Sequence, residues 1–255
     1  MAKRLEGKVA VITGASSVIG RATAFAFARE GASVVVSARR EAETEETARV
    51  IRDSGGNAIA VSTDVSSEPQ VKNLFETAVR TFGRLDIAVN NAGIFGAEGP
   101  VHDVSTEYWD TIVDTNLKGT WLCMKYEIPV MLEQGSGSIV NMASTAGIAG
   151  WADAPLYATT KFGMVGLTKS AALQYAPAGI RINAVCPAFT MIESVGTLFS
   201  QVPGAGNRLT STIPLGRIAT MEEVAEATLW LASDAASFCV GHALAVDGGQ
   251  TIGLW

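Results

Sequence analysis

The chain is sparing with charge: Asp, Glu, Lys and Arg make up 17% of its 255 residues, and the formal net charge is −6. Its basic residues gather no further than pairs such as Lys3-Arg4 and Arg39-Arg40. That argues against nucleic acid or an anionic membrane as the main partner. Cysteine and histidine are scarce as well. Cys123, Cys186 and Cys239 stand far apart with no CxxC pair, and His102 and His242 are the only imidazoles. Neither a zinc site nor a disulfide framework fits that sparsity, so reduced core thiols are expected and no metal site is assigned. No apolar run reaches the ~18 residues that suggest a membrane span. The start, Met-Ala-Lys-Arg-Leu-Glu-Gly-Lys, lacks an apolar signal core, and a cytoplasmic location is expected. No linker, repeat or low-complexity tract appears, so residues 1–255 read as a single domain.

What the chain does have is short β-branched runs alternating with helical stretches. Strands are expected at Lys8–Thr13, Ser33–Ser37, Ala58–Ser62, Leu85–Asn90, Gly137–Ala143, Ile180–Val185 and Ala243–Val246. Helices are expected from Val18, from Glu41 to Ser54, from Glu68 to Phe82 and from Thr106 to Gln134 with a kink near Pro129. Two more run from Pro155 to Tyr175 and from Met221 to Ser233. This alternation predicts an α/β fold, a Rossmann-like doubly wound parallel sheet of about seven strands with helices on both faces. Residues 187–214 read as an irregular substrate-binding loop or lid within it.

The turn Gly14-Ala-Ser-Ser-Val-Ile-Gly20 follows the first strand and opens a helix. Backbone N–H groups and a positive helix end then face a pyrophosphate. At the end of the second strand an acid would select NAD. The chain has Ser37-Ala38-Arg39-Arg40 instead, and a guanidinium suits a 2′-phosphate. NADP(H) is therefore expected, with Arg39 as the main contact; the alternative is that Arg39 and Arg40 only begin a solvated helix. Tyr157 and Lys161, four residues apart, lie on one helical face. An ammonium near a phenol favours the phenolate, which makes the pair a candidate acid–base couple. Taken alone, such spacing more often means a core Tyr beside a surface Lys.

Together these residues resemble the short-chain dehydrogenase/reductase family over nearly the whole chain. Thr13-Gly14-x-x-x-Val18-Ile19-Gly20 looks like its cofactor turn, Asp64-Val65 like its adenine-contact pair and Asn90-Asn91-Ala92-Gly93 like its sheet-stabilising motif. Asn116, Ser144, Tyr157 and Lys161 fall at the family's catalytic tetrad. The resemblance implies that Gly14, Ser16, Ser17, Ile19, Asp64, Val65, Asn91, Ala92 and Gly93 hold the dinucleotide. Tyr157, Lys161, Pro187 and Thr190 would contact its nicotinamide end. It also implies a mechanism. Ser144 holds a carbonyl oxygen, Tyr157 protonates it, and Lys161 lowers the Tyr pKa and binds ribose hydroxyls. Asn116 holds, through its helix backbone, a water that passes protons to Lys161. Members are often homotetramers, which would pair the Thr106–Gln134 and Pro155–Tyr175 helices through Ala158, Phe162, Val165, Gly166 and Lys169. The apolar ending Thr251-Ile-Gly-Leu-Trp255 suggests burial against the body or a neighbour.

Two departures stand out. Val18 replaces the family's usual glycine; it is tolerable if the backbone there is helical and weakens the cofactor site if close approach is needed. Ala188 follows Pro187 where the family commonly has glycine, which narrows space near the nicotinamide. The expected substrate is a small, hydrophobic carbonyl or alcohol. Its pocket would be drawn from Ile94, Phe95, Thr145, Ala146, Ile148 and Trp151, with Leu156, Phe189, Met191, Ile192 and Leu198. The expected activity is NADPH-dependent carbonyl reduction, reversible to alcohol oxidation. The alternatives are 3-oxoacyl-thioester reduction and, from another class, an NADP-sensing binding protein on a degraded enzyme scaffold.

Overall fold

The computed structural model describes residues 3–95, 99–191 and 205–253. Val/Ile-rich runs buried on both faces favour parallel pairing, because helices can then cover either side. The runs form β1 (Val9–Thr13), β2 (Ser33–Ala38), β3 (Asn57–Ser62), β4 (Ile87–Asn90), β5 (Gly137–Met142), β6 (Ile180–Pro187) and β7 (Ala243–Val246). They make one seven-stranded sheet in the order β3-β2-β1-β4-β5-β6-β7, with every pair parallel. Strand order reverses between β1 and β4, which opens a crevice at their carboxyl ends.

Alternate side chains of each strand enter different cores. Ala10, Ile12, Val34 and Val36 pack with Phe27 of α1 (Val18–Arg29) and Leu229 of α8 (Met221–Ala232). Val11, Val35, Ala88 and Ile139 face the other way. There they meet Leu74 and Phe75 of α3 (Glu68–Phe82) and Leu122 and Met131 of α5 (Gly119–Gln134). The remaining helices are α2 (Glu41–Asp53), α4 (Thr106–Val113), α6 (Pro155–Tyr175) and α7 (Ala205–Ser211). The cysteines are free, with Cys123 and Cys186 buried. Among the described residues no helix is long and apolar enough to cross a membrane.

Three local expectations change. The stretch 106–134 is two helices joined by a π turn at Asp114–Lys118, and Pro129 lies inside α5. β4 begins later than expected because the Gln134 side chain takes Leu85's backbone bonds. Its Oε1 accepts from Leu85 N at 2.9 Å, and its Nε2 donates to Leu85 O at 2.7 Å. The segment expected to be irregular contains the end of β6, an isolated bridge from Thr190 to Ala219, and α7.

Candidate active site

The crevice is built first from Asn91, just past β4. Its backbone N–H donates to Thr13 Oγ1 at 3.1 Å, and its Nδ2 donates to Thr13 O at 2.9 Å and Gly14 O at 3.2 Å. Ala92 N–H adds a bond to Thr13 Oγ1 at 3.1 Å. This clamp packs the turn so closely that a Cβ on Gly20 would lie 2.3 Å from Gly14 O, and Gly14 itself has φ +67°. Beyond the turn, α1 starts at Val18 with Ser17 as N-cap. The Ser17 side chain makes no capping bond, and the first turn holds no acid. An uncapped, positively polarised helix end at the sheet's switch point suits a pyrophosphate.

Val18 has φ +53°, the only positive φ outside glycine among the described residues. The condition for an unstrained valine is therefore not met, since a β-branched side chain in the left-handed region is a steric outlier. We expect Val18→Gly to raise stability by about 1 kcal/mol, roughly 2 kcal/mol of strain relieved less the glycine's chain entropy. Urea unfolding would read this as a higher midpoint at unchanged slope. An unchanged or lower midpoint would mean that valine is not strained here.

The end of the crevice where the sequence leads one to expect the adenosine is less enclosed. Arg39 is exposed at the end of β2. Arg40, which the sequence argument set aside, reaches back to the turn: its guanidinium donates to Ser16 Oγ at 3.3 Å and pairs with Glu43 at 3.1 Å. Asp64 Oδ1 accepts from Ser66 N at 2.9 Å and Ser66 Oγ at 2.7 Å. Val65 is buried, and a Cβ on Gly119 would meet its Cγ2 at 2.8 Å, so Val65 also seats the start of α5.

The tetrad residues converge at the carboxyl ends of β4, β5 and β6. Asn116 sits in the π turn, fully buried. Its Oδ1 accepts from Ile94 N at 2.8 Å, and its Nδ2 donates to Ile94 O at 2.9 Å and Thr160 Oγ1 at 3.3 Å. Its carbonyl accepts from Thr120 Oγ1 at 2.8 Å. The side chain thus ties the exit of β4 to α6. Ser144 follows β5; its Oγ accepts from Ala146 N at 3.1 Å and shares a hydrogen bond with Tyr157. Lys161 is only 4% exposed, and its Nζ donates to Met142 O at 2.7 Å. That Nζ lies 3.7 Å from where a Gly93 Cβ would be, and over the Tyr157 ring at 5.5 Å from its centroid.

The electrostatics correct one expectation. Burial pushes the Tyr157 phenol up, and the Ser144 hydrogen bond only partly opposes it. Lys161 faces the ring and bonds a carbonyl, so it does not lower the phenol in this arrangement. Burial instead lowers the Lys161 ammonium to about 8. Beneath both lies Cys186, missed from sequence, whose thiol burial pushes to about 11. Thr160 was missed too; its Oγ1 donates to Tyr157 O at 2.8 Å. A hydroxyl three residues past the Tyr was the available signal.

At the far side, Pro187 ends β6, Ala188 N bonds Val246 O at 3.1 Å, and the buried Thr190 turns its Oγ1 to Ala188 O at 3.2 Å. Of the expected pocket residues, Phe95, Trp151 and Phe189 gather near Tyr157. Ala146 and Leu156 are buried. Ile148 packs against the Met164–Cys186 cluster, and Met191 lines a separate groove with Thr210 and Ile218. Ile192 and Leu198 lie outside the described residues. Among those residues no cluster of three or more His, Cys, Asp or Glu is arranged to hold a metal.

Comparison with known proteins agrees with this architecture. A family profile described as enoyl-(acyl carrier protein) reductase matches residues 14–251. Cis-4-hydroxycyclohexanecarboxylate dehydrogenase of Sinomonas cyclohexanicum is 43% identical over 98% of this chain and 99% of its own. The A-factor type gamma-butyrolactone 1′-reductase of Streptomyces virginiae is 42% identical over 97% of each. A crystal structure of a putative short-chain alcohol dehydrogenase from Sinorhizobium meliloti superposes with TM-score 0.93 at 33% identity, over 100% of both chains.

Proposed function

The chain belongs to the short-chain dehydrogenase/reductase family of nicotinamide-dependent oxidoreductases acting on alcohols and ketones, and we propose that it is an NADPH-dependent carbonyl reductase. The observation that carries this reading is the convergence of Ser144, Tyr157 and Lys161 beside the clamped turn and its uncapped helix end.

The bound cofactor supplies a hydride to the carbonyl carbon; the chain supplies position and protons. Ser144 holds the carbonyl oxygen by a hydrogen bond. Tyr157 donates its phenolic proton to that oxygen as negative charge develops on it. A raised phenol pKa suits the reductive direction, because the proton is present through neutral pH. Lys161 binds the nicotinamide ribose hydroxyls from its buried place over the Tyr157 ring. The π turn at Asn116 supports the reading that its backbone holds a water relaying protons to Lys161, since such turns recur at functional sites.

NADP is favoured by Ala38-Arg39 where an acid would select NAD. Arg40, already held to Ser16 and Glu43, leaves the exposed Arg39 to meet the 2′-phosphate. Arg39→Ser should raise the NADPH KM by roughly 10–100-fold, as expected for a lost charged pair of hydrogen bonds, and leave NADH kinetics unchanged. Steady-state kinetics with each cofactor measures this, and a wild-type preference for NADH would reverse the assignment.

In the proposed homotetramer, Phe162 is 47% exposed on α6 and Trp121 is 46% exposed on α5, which supports pairing of these helices across a dyad. Ala158 and Val165 are buried within the chain instead. We place the enzyme in the cytosol and read residues 1–255 as one domain with a substrate loop at 187–214.

NADPH oxidation assayed with small ketones and with a 3-oxoacyl thioester tests the activity. Turnover of the thioester alone would favour the lipid-synthesis alternative, and cofactor binding without turnover of either would favour the sensor.

A further inference from the structure

Three loops leave the sheet at its carboxyl edge, and each delivers one aromatic ring to the same place. Phe95 follows β4, Trp151 lies between β5 and α6, and Phe189 follows β6. Trp151 is the hub. Its ring centroid lies 5.5 Å from Phe95, 5.3 Å from Phe189 and 6.2 Å from Tyr157. Phe95 closes the set against Tyr157 at 5.1 Å. The Trp151 plane stands at 82° to Tyr157 and 89° to Phe189, so the cluster offers both ring edges and ring faces. Phe95 is 53% exposed although it touches both Trp151 and Tyr157, and it marks the open side.

We propose that Phe95 and Trp151 form a collar that selects an uncharged ring-bearing ketone, about one six-membered ring in size, and presents its carbonyl to Tyr157. The proposal rests on the reductase reading above. The carbon skeleton of anything protonated by Tyr157 must lie against the rings that border it. The Phe95 and Trp151 planes are tilted at 36° to each other while Trp151 stands nearly square to Tyr157, so a compact ring meets a face and an edge together. An open chain of the same carbon number has more rotors to freeze for the same contact. Charge is disfavoured independently. The stretches 91–95, 143–156 and 187–191 contain no Lys, Arg or His. Their one ionisable acid, the exposed Asp153, repels a carboxylate, as do the negative faces of the rings.

The test compares kcat/KM for cyclohexanone, hexan-2-one and 4-oxocyclohexanecarboxylate in the wild type, Trp151→Ala, Trp151→Phe and Phe95→Ala. Each is assayed with whichever nicotinamide cofactor supports turnover. The wild type should favour cyclohexanone over either competitor by at least ~10-fold. Trp151→Ala should lower the cyclohexanone value by ~10–100-fold and the hexan-2-one value by less than ~3-fold, with Trp151→Phe restoring most of the loss. Equal losses on ring and chain, or no ring preference in the wild type, would overturn the collar. A second readout separates this from failure of the reductase reading. Saturation-transfer NMR follows cyclohexanone bound to the complex with oxidised cofactor, which cannot reduce it. Ring binding that depends on Trp151 upholds the collar even without turnover, whereas binding indifferent to Trp151, or none, ends it.

Discussion

Tyr157→Phe should reduce turnover by roughly 10²–10⁴-fold, the usual contribution of a positioned general acid, while leaving the cofactor dissociation constant nearly unchanged. The substitution removes one oxygen and keeps the ring that contacts Phe95 and Trp151 and underlies Lys161. Packing is therefore preserved, and the loss reads as proton transfer. Ser144 would still hold the carbonyl oxygen, so the KM for the ketone should move less than kcat. In the wild type, burial raises the phenol, so reductive turnover should persist through neutral pH and fall only as the pH climbs into the alkaline range where the phenol ionises. Stopped-flow or steady-state assays across pH would measure both effects. A Tyr157→Phe variant with more than about a tenth of wild-type kcat would remove Tyr157 from the proton-donor role.

Glu127→Gln should make the protein markedly more resistant to unfolding at pH 8.5 and little changed at pH 5. Glu127 is fully buried on α5. One carboxyl oxygen accepts from Asn90 Nδ2 at 3.0 Å, and the other has no partner. Burial raises this carboxyl to about 8 from its ordinary 4.5. Between those values the folded chain holds a proton that the unfolded chain has released. Stability is then fully present below about pH 4.5 and falls by up to about 1.4 kcal/mol per pH unit until the folded group ionises near 8. The change from pH 5 to 8.5 is on the order of 4 kcal/mol. Glutamine keeps the acceptor for Asn90 and has no charge to bury. The difference between the two proteins' urea stabilities should therefore widen as pH rises. Parallel curves would mean that Glu127 ionises normally. The carboxyl sits behind the site: Asn90 Nδ2 also donates to Asn141 Oδ1 at 2.9 Å, and Asn141 Nδ2 donates to Thr168 Oγ1 of α6 at 2.9 Å.

How much of this was legible in the chain depends on the range of the interaction. Strands such as Val34–Val36 declare themselves because both their faces are buried, which forces an apolar residue at every position. The glycine turn and the Tyr157–Lys161 spacing are local patterns, and the structure brings both to the switch-point edge of the sheet. The left-handed backbone at Val18 was not legible, because valine argues against the conformation it adopts. Glu127 lies within an ordinary-looking helical stretch, and only the layer it faces makes it a buried acid. Lys161 reaches Met142 O on β5, a contact that helical spacing cannot supply. Phe95, Trp151 and Phe189 were expected in one pocket, but which ring meets which is decided only where their three loops come together.

The π turn at Asp114–Lys118 has an evolutionary corollary. A π turn is the shape a regular helix takes when it absorbs one added residue without rotating its two ends against each other. Ile112 before the turn and Leu122 and Cys123 after it are all seated in the protein interior. The apolar phasing of α4 and α5 is thus insulated from the length of the segment that carries Asn116. A one-residue indel there would redirect Asn116 and leave the flanking helices in register. A change in where Asn116 points is therefore available to this scaffold as a single genetic step, separable from the selection that maintains its core.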